Sequence, residues 1–226
     1  MIKAVVTDIE GTTSSLSFVK DILFPYARIN LPDFVRQHGH EPEVKTQLDA
    51  VRAEFGHAAS DEAVIIRLLQ WISEDKKATP LKALQGLLWK QGYADGDFHG
   101  HIYADAYAQL KSWQAQGIKL YVYSSGSVFA QTLLYAHTKY GDLTSLFSDY
   151  FDTRIGAKVE MGSYQAIVKA LGLPAADIIF LSDTEAELDA AQQAGMQTCW
   201  LVREGSLATK ANHRQVTDFK QIEFAQ

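Results

Sequence analysis

Four places in this 226-residue chain hold side chains whose types could act together. Asp8-Ile9-Glu10-Gly11-Thr12-Thr13 ends one apolar run and Ser124-Ser125-Gly126-Ser127 ends another. Lys158 lies in the glycine-bearing segment Ile155-Gly156-Ala157-Lys158, and Asp183 closes Ile-Ile-Phe-Leu-Ser. Carboxylate oxygens supplemented by water are what an octahedral Mg²⁺ accepts, so Asp8 and Asp183 could share such a cation. Ser124, Ser125 and the free N–H groups opening the next helix could hold phosphate oxygens, aided by the helix dipole. Lys158 could neutralise the remaining charge. Taken singly, each has a plainer reading. An Asp at a strand end forms a turn or caps a helix, paired serines do the same, and a lysine is usually solvated. The combination in chain order is what points to a site.

The elements that must position these groups follow from hydrophobic patterning. Ile2–Asp8, Lys119–Ser124, Asp149–Asp152, Ile178–Ser182 and Thr198–Val202 read as five strands. Three of them are continuous apolar runs, as expected where helices cover both faces of a parallel sheet. Tyr103, Tyr107, Leu110 and Trp113 form one helical stripe before Gly117. Ile167, Val168 and Leu171 form another before Gly172 and Pro174. Thr184 with Glu187 three residues on has the spacing of a capping box, which assigns Glu187 to capping and Glu185 to the first helical turn.

Between the first two strands the pattern changes. Helix signals recur over Phe18–Gln37, Glu41–Phe55, Ser60–Ser73 and from Thr79-Pro80 through Lys90, with Thr79 as N-cap and Pro80 at the first helical position. So long a crossover without a strand predicts an inserted helical subdomain. In an open parallel sheet, ligands bind beyond the carboxyl ends of the strands where strand order reverses, and Asp8, Ser124 and Asp183 all follow strands.

Other features carry less. His99 and His101 are spaced to chelate, but no third ligand or zinc spacing accompanies them. Cys199, the single cysteine, lies in an apolar strand and reads as a core thiol. It excludes an intrachain disulfide and agrees with a reducing cytoplasm. Ser124 lacks the Gly-x-Ser-x-Gly elbow, and both nucleotide-binding glycine motifs are absent. With 21 Lys+Arg against 27 Asp+Glu, the net charge of −6 argues against gripping nucleic acid or anionic membrane. A 47% hydrophobic, 21% charged composition is that of a globular protein. The uncharged stretch Leu120–Thr138 is too polar to span a bilayer. The N-terminus shows no signal-peptide pattern, so the chain reads as mature from Met1.

Asp-Ile-Glu-Gly-Thr, Ser-Ser-Gly-Ser, Lys158 and Leu-Ser-Asp183 resemble the four motifs of the haloacid dehalogenase superfamily. Most members carry a second Asp at the position of Glu10. A Glu there, in Thr7-Asp8-Ile9-Glu10-Gly11-Thr12-Thr13-Ser14-Ser15, is similar to the bifunctional enolase-phosphatases of methionine salvage. So are Phe18-Val19-Lys20-Asp21-Ile22-Leu23-Phe24-Pro25-Tyr26, Gly156-Ala157-Lys158-Val159-Glu160 with Ser163-Tyr164, and Phe180-Leu181-Ser182-Asp183 with Glu187-Leu188-Asp189-Ala190-Ala191.

The resemblance implies an α/β fold: a Rossmann-like, parallel five-stranded core of haloacid dehalogenase type over residues 1–13 and 101–226, with a helical cap over 14–100. It implies one Mg²⁺ per subunit, held by the side chains of Asp8 and Asp183 and by the backbone carbonyl at Glu10. Ser124, Ser125 and Lys158 would contact substrate, Asp8 would be the nucleophile, and Glu10 would exchange protons. The implied substrate is a small phosphorylated diketone, 2,3-diketo-5-methylthiopentyl-1-phosphate, and a cytoplasmic monomer is expected. A generic sugar-phosphate or nucleotide phosphatase on the same scaffold is the alternative, and a non-catalytic binding module is a third reading.

Overall fold

The computed structural model describes residues 1–55 and 59–224. Six parallel strands form one sheet: β1 (Ala4–Thr7), β2 (Lys119–Tyr123), β3 (Asp149–Phe151), β4 (Ile178–Ser182), β5 (Gln197–Leu201) and β6 (Arg214–Val216), in the order β3-β2-β1-β4-β5-β6. All of β1 and β4 is buried, as their continuous apolar sequences require of central strands. Thr7 pairs with Val122 on one side and Leu181 on the other. The residues that follow these strands therefore leave the same carboxyl edge. Strand order runs outward in opposite directions from β1 and β4, which puts the switch point between them.

The sheet has one strand more than the five expected. β6 is only Arg-Gln-Val and pairs with Cys199–Leu201. Three residues, one of them an exposed Arg, are too few to register as a hydrophobic period.

The strands are joined through α5 (Ala104–Ala115), α6 (Val128–Ala136), α7 (Met161–Leu171) and α8 (Glu185–Gln193). On α5 the expected stripe buries Leu110 and Trp113, whereas Tyr103 sits at the N-cap in extended conformation and Tyr107 stacks on Tyr140 at 4.1 Å. Gly172 closes α7 at φ +64, the left-handed conformation a glycine C-cap supplies. Val6, Tyr123, Tyr164, Ile167, Phe180 and Leu188 belong to one buried core cluster of the sheet. The Tyr164 ring meets Tyr123 at 5.5 Å and Phe180 at 5.0 Å, both edge-on, and truncating such a buried ring costs about 3–5 kcal/mol.

The chain divides into two compact units, residues 1–16 with 100–226, and residues 17–99. The second unit is helical: a π-helical turn at Phe18–Leu23 leads into α1 (Phe24–His38), followed by α2 (Pro42–Ala53), α3 (Asp61–Ser73) and α4 (Thr79–Asp95). Leu31, Val35, Leu48, Val51, Leu68, Trp71 and Leu84 fill its interior. The Trp89 indole N–H donates to the Leu23 carbonyl at 3.0 Å, satisfying a group at the irregular turn. Ser60 caps α3 by accepting the Ala63 N–H, while α4 starts one residue earlier than its cap signal suggests. Ala78 is the extended N-cap and Thr79 is already helical, so its hydroxyl does not cap. No helix among the described residues is long and apolar enough to cross a membrane.

Candidate active site

The Asp8 N–H donates to the Leu181 carbonyl at 2.9 Å, continuing the β1–β4 pairing by one residue and placing the carboxylate, 3% exposed, at the switch point. Lys158, in the segment that follows the edge strand β3, reaches it. Its Nζ lies 2.6 Å from Asp8 Oδ1 and 2.7 Å from Glu187 Oε2. Burial works to strip the lysine of its proton, but the two carboxylates overcome it and the ammonium is held well above its ordinary range.

Three successive carbonyls hold the lysine segment in place. The Tyr123 hydroxyl donates to Gly156 O at 2.9 Å, Ser163 to Ala157 O at 2.6 Å, and Tyr164 to Lys158 O at 2.7 Å. Gly156 adopts φ +139, and a Cβ there would collide with the Ser163 hydroxyl. The glycine beside Lys158 thus permits the close approach on which the lysine's placement depends.

On the other face of Asp8, Glu10 accepts a hydrogen bond from Ser124 Oγ at 3.1 Å, and Ser124 Oγ in turn accepts the Gly126 N–H at 3.1 Å. Burial, and then the charge on Asp8, raise the Glu10 carboxyl above its ordinary pKa. Gly11, at φ +73, turns the chain so closely over Asp183 that a Cβ would collide with that carboxylate. Burial and Asp8 likewise raise Asp183, whose Oδ1 accepts from Thr184 at 3.1 Å.

The serine loop leads into α6. Ser127 caps the helix by accepting the Ala130 N–H at 3.2 Å, and Gln131 Nε2 ties the Gly126 and Phe151 carbonyls together at 2.8 and 2.9 Å. Ser124 is fully buried against Glu10, while Ser125 is exposed at the mouth of the loop. Asp8, Glu10, Ser124, Lys158 and Asp183 are thereby brought to one edge of one sheet.

Glu187 is the carboxylate at this edge whose partner sequence reasoning misassigned. The capping box is not made: Thr184 makes no side-chain cap bond, and the Glu187 carboxylate turns inward to accept from Ser182 Oγ at 2.9 Å and from Lys158. Burial and the charge on Asp8 push it up to about 7, with Lys158 pulling the other way. Its neighbour across the sheet lies 29 positions earlier, so no local pattern could reveal the pairing. His101, considered for chelation, accepts the Ser15 N–H at Nδ1 at 3.0 Å, a backbone-holding role. Cys199 is buried, which pushes its thiol up to about 11 and leaves it unreactive.

The donor set suits a hard dication. Asp8 and Asp183 are carboxylates close enough for one to disfavour ionisation of the other, a repulsion that an ion between them would relieve. Among the described residues no three His, Cys, Asp or Glu side chains form a metal-holding group by themselves. An ion here would need water, backbone or substrate oxygens to complete its shell, as Mg²⁺ commonly does.

Residues 2–195 match the haloacid dehalogenase-like hydrolase family. The chain is 58% identical over 223 residues to an enolase-phosphatase E1 of Methylococcus capsulatus, covering 98% of both chains. It is 59% identical over 222 residues to one of Pseudomonas aeruginosa, again covering 98% of both. Among solved structures it resembles the unknown transcript 4 protein of Saccharomyces cerevisiae, with a TM-score of 0.85 at 32% identity, covering 98% of this chain and 100% of that one. The site edge described above lies inside the span that the family matches. The chain belongs to the haloacid dehalogenase-like hydrolases and, within them, to the enolase-phosphatase E1 family.

Proposed function

We propose that this chain enolises 2,3-diketo-5-methylthiopentyl-1-phosphate and then hydrolyses its phosphate ester, giving the acireductone 1,2-dihydroxy-3-keto-5-methylthiopentene in methionine salvage. The observation that carries the reading is the buried Asp8–Lys158–Glu187 cluster with Glu10 on its other face, in a chain of enolase-phosphatase sequence. The broader phosphatase alternative is not favoured, because full-length identity to enolase-phosphatases reaches 59%.

In this reading the side chains of Asp8 and Asp183 and the Glu10 carbonyl hold one Mg²⁺. When bound, the ion supplies charge neutralisation and polarises the oxygens of the diketone and the phosphoryl group. Ser124, Ser125 and the N–H groups opening α6 orient the phosphate, with Lys158 balancing its charge. The product carries its double bond between C1 and C2, so the first reaction removes a proton from C1 and delivers one to the C2 oxygen. In the second, an Asp8 oxygen attacks phosphorus, the bond from phosphorus to the C1 oxygen breaks, and that oxygen takes a proton from Glu10. The raised pKa of Glu10 keeps that proton available. Water then attacks the aspartyl-phosphate, its proton returns to Glu10, and phosphate leaves with Asp8 regenerated.

The chain is proposed to work as a monomer in the cytoplasm, a setting its single buried thiol tolerates. Anaerobic incubation with the diketo phosphate tests the reading. An enol chromophore should appear before inorganic phosphate, and chelation of Mg²⁺ should abolish phosphate release. Phosphate released with no enol stage would return the chain to the generic phosphatases.

A further inference from the structure

We propose that Arg203 is a positioning residue for the loop carrying Asp8 and Glu10, acting through the backbone carbonyl of Thr12. The proposal rests on the enolase-phosphatase reading for its substrate. Arg203 Nε and Nη2 donate to Thr12 O at 3.0 and 2.8 Å, and Nη1 donates to Asp105 Oδ2 at 2.7 Å. Its guanidinium lies 4.2 Å from the Tyr103 ring centre and 5.1 Å from that of Phe219. The side chains of Arg203 and Asp105 are 9% and 13% exposed.

A buried guanidinium is retained only where its charge and donors are matched. Here the match is close to complete. Asp105 supplies the opposite charge and accepts the Phe219 N–H at 2.8 Å as well, so its own place is set by backbone. The two aromatic rings cover the guanidinium and hold its plane. What this rigid fork grips is a single carbonyl in the most constrained loop of the site.

The loop has little freedom elsewhere. Thr13 Oγ1 donates to Asp8 O at 3.2 Å, Ser14 N–H donates to Ile9 O at 2.8 Å, and Thr13 O accepts the Tyr103 N–H at 2.9 Å. Gly11 bends the chain onto the Asp183 carboxylate. Arg203 therefore pins the Thr12–Thr13 peptide, and the N–H of Tyr103, on whose ring Arg203 also rests, pins the next one, Thr13–Ser14. Releasing the Thr12 carbonyl lets Gly11 lift from Asp183 and moves Glu10 relative to Asp8. A displacement of about 1 Å in such a site costs on the order of 100-fold in rate.

The test uses the full chain with Arg203→Lys and Arg203→Met, assayed on the diketo phosphate at saturating Mg²⁺ and melted in parallel. Lysine keeps the charge and the stem but cannot grip Thr12 with two donors while pairing with Asp105. We expect kcat to fall about 10-fold for Arg203→Lys and about 100-fold for Arg203→Met, with KM within about threefold of the parent and the Lys variant melting close to it. If the Met variant does not fold, the Lys variant decides. A Lys variant with unchanged kcat, or one whose loss lies wholly in KM or in melting temperature, overturns the proposal. A parent chain inactive on the diketo phosphate would overturn the substrate reading alone, since the same kcat comparison can be made on a simple aryl phosphate.

Discussion

The two units of this molecule spend their polar groups differently. Among the described residues of the helical unit Gln85 is the one buried polar side chain, whereas the sheet unit buries twelve, Asp8, Thr12, Thr13, Ser124 and Ser182 among them. Individual ion pairs of the two units contrast in the same way. Arg36–Glu62 and Lys45–Asp49 in the helical unit leave about half of each side chain in water, while Lys158–Asp8 is 9% and 4% exposed. Exposed pairs are worth ~0–1 kcal/mol, but removing one partner of a buried pair strands a charge at a cost of several kcal/mol. Apolar packing is enough to build the helical unit. The sheet unit accepts the cost of buried charge because its chemistry needs carboxylates out of water.

Five changes would break or sharpen that contrast. The largest effect is expected from Asp8→Asn, which keeps the shape and removes the nucleophile. Phosphate release should drop by about 10⁴-fold or more in folded protein. Substantial residual release would mean that Asp8 is not the attacking group. Next, Lys158→Met strands Asp8 and Glu187 together. We expect a loss of about 3–5 kcal/mol in denaturant unfolding and near-complete loss of turnover. A stable Met variant would mean that the ammonium matters for substrate alone.

Glu10→Asp shortens the carboxyl by one methylene. If the longer reach of Glu10 serves the C1 proton as well as the leaving oxygen, the variant should retain hydrolysis of simple phosphate esters while enolisation falls, seen as accumulation of the keto substrate. Equal losses in both reactions would refute that division. Glu187 gives a pH signature in metal-free protein. Its carboxyl is raised from 4.5 to about 7 by burial and Asp8, so its contribution to stability is fully present below about 4.5 and is lost as pH rises through about 7. Glu187→Gln, which does not titrate, should gain in melting temperature relative to the parent across that window. A pH-independent difference would remove Glu187 from the buried charge network. The smallest effect belongs to the helical unit: Arg36→Ala should cost no more than ~1 kcal/mol and leave kcat unchanged.

What could be read locally was read from the chain. The apolar runs of β2, β4 and β5 and the Gly172 that closes α7 follow from periodicity and capping chemistry, because each involves neighbours within one turn or one strand. Asp8, Glu10, Ser124, Lys158 and Asp183 stood out because parallel strands deliver whatever follows them to one edge. Three things needed the folded molecule. β6 becomes a strand only by pairing with β5. Glu187 had the spacing of a cap, yet the buried ammonium of Lys158 is a stronger partner than a helix N–H that the backbone can satisfy otherwise. Arg203 had no signature at all, since the groups it joins, Asp105 and Thr12, lie 98 and 191 residues away. Local sequence sets which elements form and what chemistry they carry. Which charge meets which is decided by tertiary burial, where losing water makes the nearest opposite charge outweigh any local preference.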